Sequence, residues 1–177
     1  MENMTNPLRQ IIETMMKEHD LILGFLDELE SVNNALQSTD SLTEADSGIS
    51  AVNKIASQLL DAEPHHQREE QVLFPELEKI GIVGPPSVMR SEHEILRAYK
   101  HTLHELVESI REENFDRVKD ELNAATEDIV NILRDHISKE NDILYPMAVQ
   151  ALQNPEVWET MKQRCDEIGY CSFTPGH

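Results

Sequence analysis

The sequence predicts an all-α protein, an up-down-up-down four-helix bundle with a short C-terminal helix and tail. Four long segments place apolar residues at intervals of three, four or seven, the spacing of one helical face. No stretch of the 177 residues shows the period-two alternation of a half-buried strand. Short polar or glycine- and proline-containing stretches separate the segments, as between antiparallel neighbours in a bundle. We therefore expect residues 1–153 to form the bundle and residues 154–177 the short helix and tail.

The first helix is predicted to start at Asn6 and Pro7, an N-cap residue followed by proline at the first helical position. Its apolar stripe continues to about Leu36 and contains one polar member, His19. The polar stretch 37–47 is predicted to be the first loop.

The second helix is predicted from about residue 48 to about residue 79, and the glycine- and proline-rich run 81–86 ends it. The third helix is predicted to begin near Ser87. It carries a histidine, His93, on its apolar face, as the first helix does.

The fourth helix follows the polar turn 112–114 and has the most regular apolar stripe. His136 and Glu140 lie within that stripe, and burying an imidazole or a carboxylate without a partner costs several kcal/mol. The pair therefore needs a partner inside the protein. Asn154 and the proline after it start a short fifth helix, which Gly169 stops.

Composition restricts the function. The chain has 34 acidic and 15 basic residues and a net charge of -19, so it repels phosphate backbones and anionic lipids. Neither nucleic acid nor a membrane is expected as a partner. An 18-residue apolar run and a signal-peptide core are both missing, so we expect a cytoplasmic protein. Cys165 and Cys171 match no redox or zinc spacing and are expected to be ordinary thiols.

A motif pair occurs twice in the same order. Each copy has a histidine flanked by acidic residues, followed in the next helix by a His-x3-Glu segment and a Leu-aromatic-Pro marker. Residues four apart lie on one helical face, so each His-x3-Glu pair points the same way. Two halves with two imidazoles and one carboxylate each are what a two-metal site inside a helical bundle requires. The candidate metal ligands are His19, His65, Glu69, His93, His136 and Glu140.

The ligand pair of the second helix has two possible registers. The internal repeat favours His65 and Glu69, because both lie at the same offsets from the Leu-aromatic-Pro marker as the pair in the fourth helix. The apolar periodicity favours His66 and Glu70. Adjacent residues are about 100° apart around a helix, so we expect only one pair to point straight inward. We follow the repeat and leave the second register open.

The segments 65–75, 87–93 and 135–141 resemble the hemerythrin HHE cation-binding family, and the resemblance extends over about residues 10–150. It implies a hemerythrin-like four-helix bundle that holds a non-haem centre of two iron ions bridged by an oxo or hydroxo group. The four histidines would be terminal ligands, and Glu69 and Glu140 would bridge the irons. Zinc or manganese would also bind such imidazole and carboxylate donors in vitro.

Two positions depart from the oxygen-carrying hemerythrins. Those proteins place a second histidine one turn after the third-helix histidine, where this chain has Arg97. They also end the fourth-helix motif with an aspartate, where this chain has Asn141. The remaining set of four histidines and two glutamates is similar to that of di-iron proteins that repair iron centres after nitrosative or oxidative stress.

Three functions follow as hypotheses. The first is a di-iron protein that binds or senses oxygen or nitric oxide. The second is an enzyme-like role in iron-centre repair, or in consuming oxygen or peroxide. The third is a metal-free or iron-storing structural bundle. Carrier, sensor and enzyme all stay open at this point, as does the oligomeric state.

Three acidic residues and one tyrosine lie close to the candidate ligands in the sequence. Glu18, Glu92 and Asp135 each precede a candidate histidine and are expected on a solvated face, with hydrogen bonding to an imidazole on a neighbouring helix as the alternative. Tyr145 is expected to pack in the core, although its hydroxyl could also donate a hydrogen bond to an oxygen ligand bound to iron.

Overall fold

The computed structural model describes residues 7–177 of the chain, with side chains from Gln10 onward, and this part is helical without strands. The predicted N-cap Asn6 lies outside the described residues. The helices are α1 Pro7–Gln37, α2 Leu42–Leu60, α3 Glu63–Arg68, α4 Phe74–Lys79, α5 Gly84–Glu108, α6 Phe115–Lys139, α7 Tyr145–Ala151 and α8 Pro155–Ile168. A 3₁₀ turn, Glu112–Asn114, precedes α6.

The predicted second helix begins earlier than expected and is interrupted. The Ser41 side chain accepts a hydrogen bond from the backbone N–H of Glu44, so it caps α2, and the first loop is shorter than predicted. After α2 ends, the chain restarts as α3 with Pro64 in its first turn, where the missing N–H of proline does no harm. The break therefore lies directly before the histidine pair of this segment.

The internal repeat is also visible in the backbone. One π-helical turn, Glu69–Leu73, separates α3 from α4, and a second, Glu140–Leu144, separates α6 from α7. The N–H groups of Phe74 and Tyr145 reach back five residues, to the carbonyls of Glu69 and Glu140.

The widened turns have a local physical reason. In each repeat a proline, Pro75 or Pro146, follows the π turn, and a proline ring collides with the carbonyl four residues earlier in a regular helix. The wider turn accommodates the ring, so the helical run continues beyond both prolines instead of ending there. Each π turn begins at a candidate metal ligand, and such turns are frequent at functional sites.

The described residues fall into two compact units. The first comprises the described part of Met1–Leu21 with Ala62–His93 and His136–His177, and the second comprises Ile22–Asp61 and Glu94–Asp135. In the second unit, the buried residues are mainly aliphatic, such as Leu26, Ile55, Leu103 and Ile129.

The first unit has its own apolar cluster, to which the C-terminal segment contributes. Met15, Phe74 and Tyr145 lie in this cluster together with Trp158 of α8. The indole N–H of Trp158 donates to the carbonyl oxygen of Leu152 at 2.7 Å, which satisfies its polar atom inside the core. As predicted from the sequence, Asn154 caps α8, and Gly169 ends it with a φ of 93°.

Candidate metal centre

All six predicted ligands lie in the first unit and are almost completely buried. None of them is more than 2% exposed. Four separate elements contribute them, namely α1, the α3 segment with its π turn, α5, and α6 with its π turn. Buried imidazoles and carboxylates are rare unless they are paired or bind a metal, so this concentration is the main chemical feature of the chain.

Glu140 lies among three imidazoles. Its Oε1 atom is 3.0 Å from Nε2 of His136 and 3.5 Å from Nε2 of His93. Its Oε2 atom is 3.1 Å from Nε2 of His19. One carboxylate therefore faces imidazoles of α1, α5 and α6 at once.

Glu69, which belongs to the other repeat, also lies among imidazoles. Its Oε2 atom is 3.6 Å from Nε2 of His65 and 3.4 Å from Nε2 of His93. Its Oε1 atom accepts a hydrogen bond of 2.8 Å from the hydroxyl of Tyr145. Glu69 and Glu140 thus both approach His93, and each also faces a histidine that the other does not.

Each of the four predicted histidines forms a hydrogen bond at Nδ1, the ring nitrogen on the side away from Glu69 and Glu140. The partners are Asn141 Oδ1 for His19 (2.8 Å), Glu18 Oε2 for His65 (2.6 Å), Glu70 Oε1 for His93 (2.8 Å) and Glu92 Oε2 for His136 (2.8 Å). Oxygen acceptors at Nδ1 place the proton there and direct Nε2 to the opposite side of the ring. All four Nε2 atoms therefore face the carboxylate of Glu69 or of Glu140.

Two of the acidic residues expected on a solvated face are structural partners of the histidines instead. Glu18 is fully buried, and Glu92 is half-buried and also accepts from Lys139 at 2.6 Å. Asp135 is exposed, as expected. The sequence signal for Glu18 and Glu92 was their position directly before a histidine, but the histidine that each one supports belongs to another helix.

His66 is a candidate ligand that the preferred register missed. Both His65 and His66 are buried, so the expectation that only one of the two pairs points inward is wrong for the histidines. The two rings serve different neighbours, since His65 meets His19 while His66 stacks on His93. The sequence feature that could have identified His66 is the adjacent histidine pair itself, because a centre with two metal positions can use donors that point in two directions.

The potential ligand atoms form three groups, in each of which they lie within 4.8 Å of one another. The groups are His19, His65 and Glu140; Glu69, His93 and Glu140; and His66, His93 and His136. These clusters could hold a metal ion, and they share His93 and Glu140. His101 and His104, also on α5, belong to the second unit and to none of these groups.

The electrostatics of the centre favour a positive charge. Burial alone would lower the pKa of His93, but the facing carboxylates of Glu140 and Glu69 raise it to about 11. Burial would raise the pKa of Glu140, but its imidazole neighbours, chiefly His136, hold it well below its usual value. Imidazoles that retain protons beside ionised carboxylates occupy a place where a cation would be stabilised.

Although these groups lie within ion-pair distance of one another, several buried atoms of the centre make no hydrogen bond of suitable geometry within the described part of the chain. They are Oε2 of Glu69, both carboxylate oxygens of Glu140, and Nε2 of His93 and of His136. Buried polar atoms of this kind are normally satisfied, and a metal ion coordinated by these atoms would satisfy them. Imidazole nitrogen and carboxylate oxygen are suitable donors for iron. The residues present therefore fit a metal centre.

The hydroxyl of Tyr145 lies inside the centre rather than in the apolar core alone. Besides its hydrogen bond to Glu69, it is 3.5 Å from Nε2 of both His19 and His65. Burial and the nearby carboxylates raise the pKa of Tyr145 well above its usual value, so the hydroxyl remains protonated. The equivalent position in the other repeat is Phe74, which offers no such donor.

Comparison with known proteins agrees with this geometry. The family described as "Hemerythrin HHE cation binding domain" matches residues 10–148. The chain belongs to this family. The hemerythrin resemblance of the sequence motifs is thereby confirmed, over nearly the range that the motifs indicated.

Relatives of this hemerythrin-family chain carry a functional name. Proteins named "Iron-sulfur cluster repair protein YtfE" from Escherichia coli and from Shigella boydii are each 39% identical to it over 93 residues. The match covers 48% of this chain and 40% of each relative, so less than half of either protein is compared.

Among the described residues, none of the helices combines the length and the apolar character needed to cross a membrane. Cys165 and Cys171 are free and buried, and burial raises the pKa of each thiol to about 11. Both are therefore protonated thiols at neutral pH.

Removing one of the partners at Nδ1 tests how much these hydrogen bonds contribute. Glu92→Ala is expected to weaken metal binding about 10–100-fold, because His136 loses the acceptor that orients its ring. Competition with a chromophoric chelator measures this change. Glu94→Ala, which removes an exposed carboxylate two residues away, is the control and should bind metal normally. Equal affinities of the two variants would contradict the orienting role.

Proposed function

We propose that this hemerythrin-family chain is a di-iron protein that takes part in the repair of damaged iron centres. The observation that carries the proposal is the buried cluster of imidazoles that approach Glu69 and Glu140 from two sides. We further propose that residues 1–153 form a four-helix bundle around this centre and that residues 154–177 add the short helix and tail.

Two metal positions are supported by how the donors divide. His19 and His65 lie on one side, with their Nε2 atoms 3.0 Å apart, and His93 and His136 lie on the other. Glu140 faces both sides, as a carboxylate shared by two cations must. In this proposal His19, His65, His93 and His136 are terminal ligands, and Glu69 and Glu140 bridge.

Iron bound here would supply a redox-active, Lewis-acidic pair of cations. The chain's own residues bind and orient them through the Nδ1 hydrogen bonds and exclude bulk water by nearly complete burial. The hydroxyl of Tyr145 holds a proton within reach of Glu69. This is the one neutral O–H group that the described contacts place among the six predicted ligands.

Repair is preferred to simple ligand binding because of the relatives. The proteins named for iron-sulfur cluster repair share 39% identity with this chain over the matched segment. The matched segment covers 40% of the length of those relatives.

Purified protein, loaded with iron under anaerobic conditions, tests this function directly. We expect about two iron ions per chain, and faster recovery of activity in an iron-sulfur enzyme damaged by nitric oxide than with free iron at the same concentration. The damaged cluster is the substrate in this assay. His136→Ala is the matched control and should neither retain both metals nor accelerate recovery. Recovery no faster than with free iron would reject the repair role and leave metal binding intact.

Binding of oxygen or nitric oxide is the second candidate. Two six-coordinate metal ions take more donors than four imidazoles and two carboxylates supply, which leaves room for a small ligand. Exposure of the ferrous protein to either gas should then change its visible absorption reversibly. A spectrum that neither gas changes would exclude this role.

Less than about half an equivalent of metal in protein purified from cells would instead favour a metal-free structural bundle.

A further inference from the structure

We propose that His66 is a metal ligand of this centre and that it makes the two metal positions unequal. In this arrangement one position has three imidazoles, from His66, His93 and His136. The other has two, from His19 and His65. The inference rests on the proposed metal-binding function and names a ligand beyond the internal repeat.

Burial and distance place His66 with the ligands. It is 3% exposed, although histidine is only intermediate in its tendency to be buried. One of its ring nitrogens lies within 4.8 Å of ligand atoms of both His93 and His136. The three imidazoles come from three different helices, α3, α5 and α6, and converge on one region.

Ring geometry shows how the three imidazoles fit together. The ring of His66 is stacked on that of His93, with centroids 4.0 Å apart and planes inclined by 12°. It meets the ring of His136 edge-on, at 6.2 Å and 79°. His93 and His136 are in turn fixed at Nδ1 by Glu70 and Glu92.

The neighbouring histidine cannot take the same role. Nδ1 of His65 is hydrogen-bonded to Glu18, and Nε2 of His65 contacts Nε2 of His19. Both ring nitrogens of His65 therefore contact residues of α1. Successive residues of a helix project about 100° apart, which lets one turn of α3 supply both metal positions. The adjacent pair His65 and His66 therefore serves two sites and does not offer alternatives for one.

An unequal pair of positions has a chemical consequence. Imidazole-rich sites favour late first-row metals such as cobalt and zinc more strongly than carboxylate-rich sites do. The three-imidazole position is therefore expected to fill first when Co²⁺ is titrated into the metal-free protein. Binding should occur in two distinguishable steps, with the first step dependent on His66.

The test is a set of single and double variants, loaded with Co²⁺ or with Fe²⁺ under anaerobic conditions and then dialysed against a weak chelator. His66→Ala is expected to retain about one metal ion where the unmodified chain retains about two. Combining it with His93→Ala should cause little further loss, because both act on one position. Combining it with His19→Ala should leave almost no bound metal, because each change affects a different position.

Matched controls separate ligation from packing. Gln67→Ala alters the next residue of the same helix, which is not in any of the ligand groups, and should retain about two ions. Added imidazole should restore the lost ion to His66→Ala, which a merely structural role would not produce. If His66→Ala does not fold, as judged by circular dichroism, His66→Asn keeps a polar side chain of smaller volume and is measured in its place.

The outcomes distinguish this inference from the proposed function. Two ions retained with unchanged affinity in the folded His66 variant would overturn the inference and leave the di-iron function standing. Failure of the unmodified chain to bind metal would overturn both. A single binding step of two equal sites in the unmodified chain would also overturn the inequality of the two positions.

Discussion

Glu140→Gln is expected to abolish stable binding of both metal ions, a larger effect than the loss of any single histidine. The substitution keeps the size of the side chain but removes a charge that faces His19, His93 and His136 at 3.0–3.5 Å. A bridging carboxylate binds two cations and compensates part of their charge, so its loss affects both positions together. Metal content after dialysis against a weak chelator measures the effect.

The matched control for Glu140 lies in the same π turn. Asp142 is exposed, and its carboxylate accepts a hydrogen bond from the hydroxyl of Ser138 rather than facing the centre. Asp142→Asn should therefore retain full metal content. Retention of two ions by Glu140→Gln, or loss of only one, would show that this carboxylate does not bridge.

Arg68→Ala is expected to destabilise the protein by about 3–5 kcal/mol, because it leaves the buried carboxylate of Glu18 without its cation. Arg68 is 1% exposed, and one guanidinium nitrogen lies 2.6 and 2.7 Å from the two Glu18 oxygens. The hydroxyl of Thr174, in the C-terminal tail, donates to the same carboxylate at 2.5 Å. Denaturant unfolding of the metal-free protein measures the change.

An exposed ion pair provides the comparison for Arg68. Arg117 and Glu121 lie 2.7 Å apart, but their side chains are 64% and 44% exposed, so Arg117→Ala should change stability by only about 0–1 kcal/mol. A double variant, Arg68→Met with Glu18→Gln, should recover part of the loss, because no unpaired charge remains buried. A loss for Arg68→Ala no greater than that for Arg117→Ala would contradict the argument.

The pH dependence of stability follows from the same ion pair. Burial would raise the pKa of Glu18, but the hydrogen bond from His65 and the charges of His65 and Arg68 lower it from 4.5 to about 2. A carboxyl group whose pKa is lowered by folding stabilises the protein above its unfolded pKa and loses that contribution as the pH falls. The deficit of Arg68→Ala should therefore be largest above pH 4.5 and should shrink as the pH approaches 2.

The C-terminal segment illustrates what local sequence signals predict well. Asn154 and Gly169 delimit α8 as expected, because capping and a positive φ are properties of a few consecutive residues. Nothing local indicated that Thr174 would donate to Glu18, which lies 156 residues away along the chain. Contacts of that kind depend on which helices meet.

The sequence alone determined the all-helical class, the family and the internal repeat. Apolar periodicity and repeated spacing are carried by residues close together in the chain, so the buried positions of His19, His93, His136 and Glu140 could be predicted from them. In the sequence, only the repeated prolines indicated the two π-helical turns. A proline shows where a regular helix is disturbed but not how the backbone adjusts.

Only the tertiary structure decided how the histidines are supported and that both members of the adjacent pair, His65 and His66, are buried. A hydrogen bond at Nδ1 comes from a residue on another element, as with Glu18 for His65 and Glu92 for His136, and helical periodicity does not report which residue that is. Helical geometry alone predicted that only one of the two adjacent pairs points straight inward, yet both His65 and His66 are buried. Donors that surround two metal positions approach from different directions, so adjacent residues of one turn can both contribute.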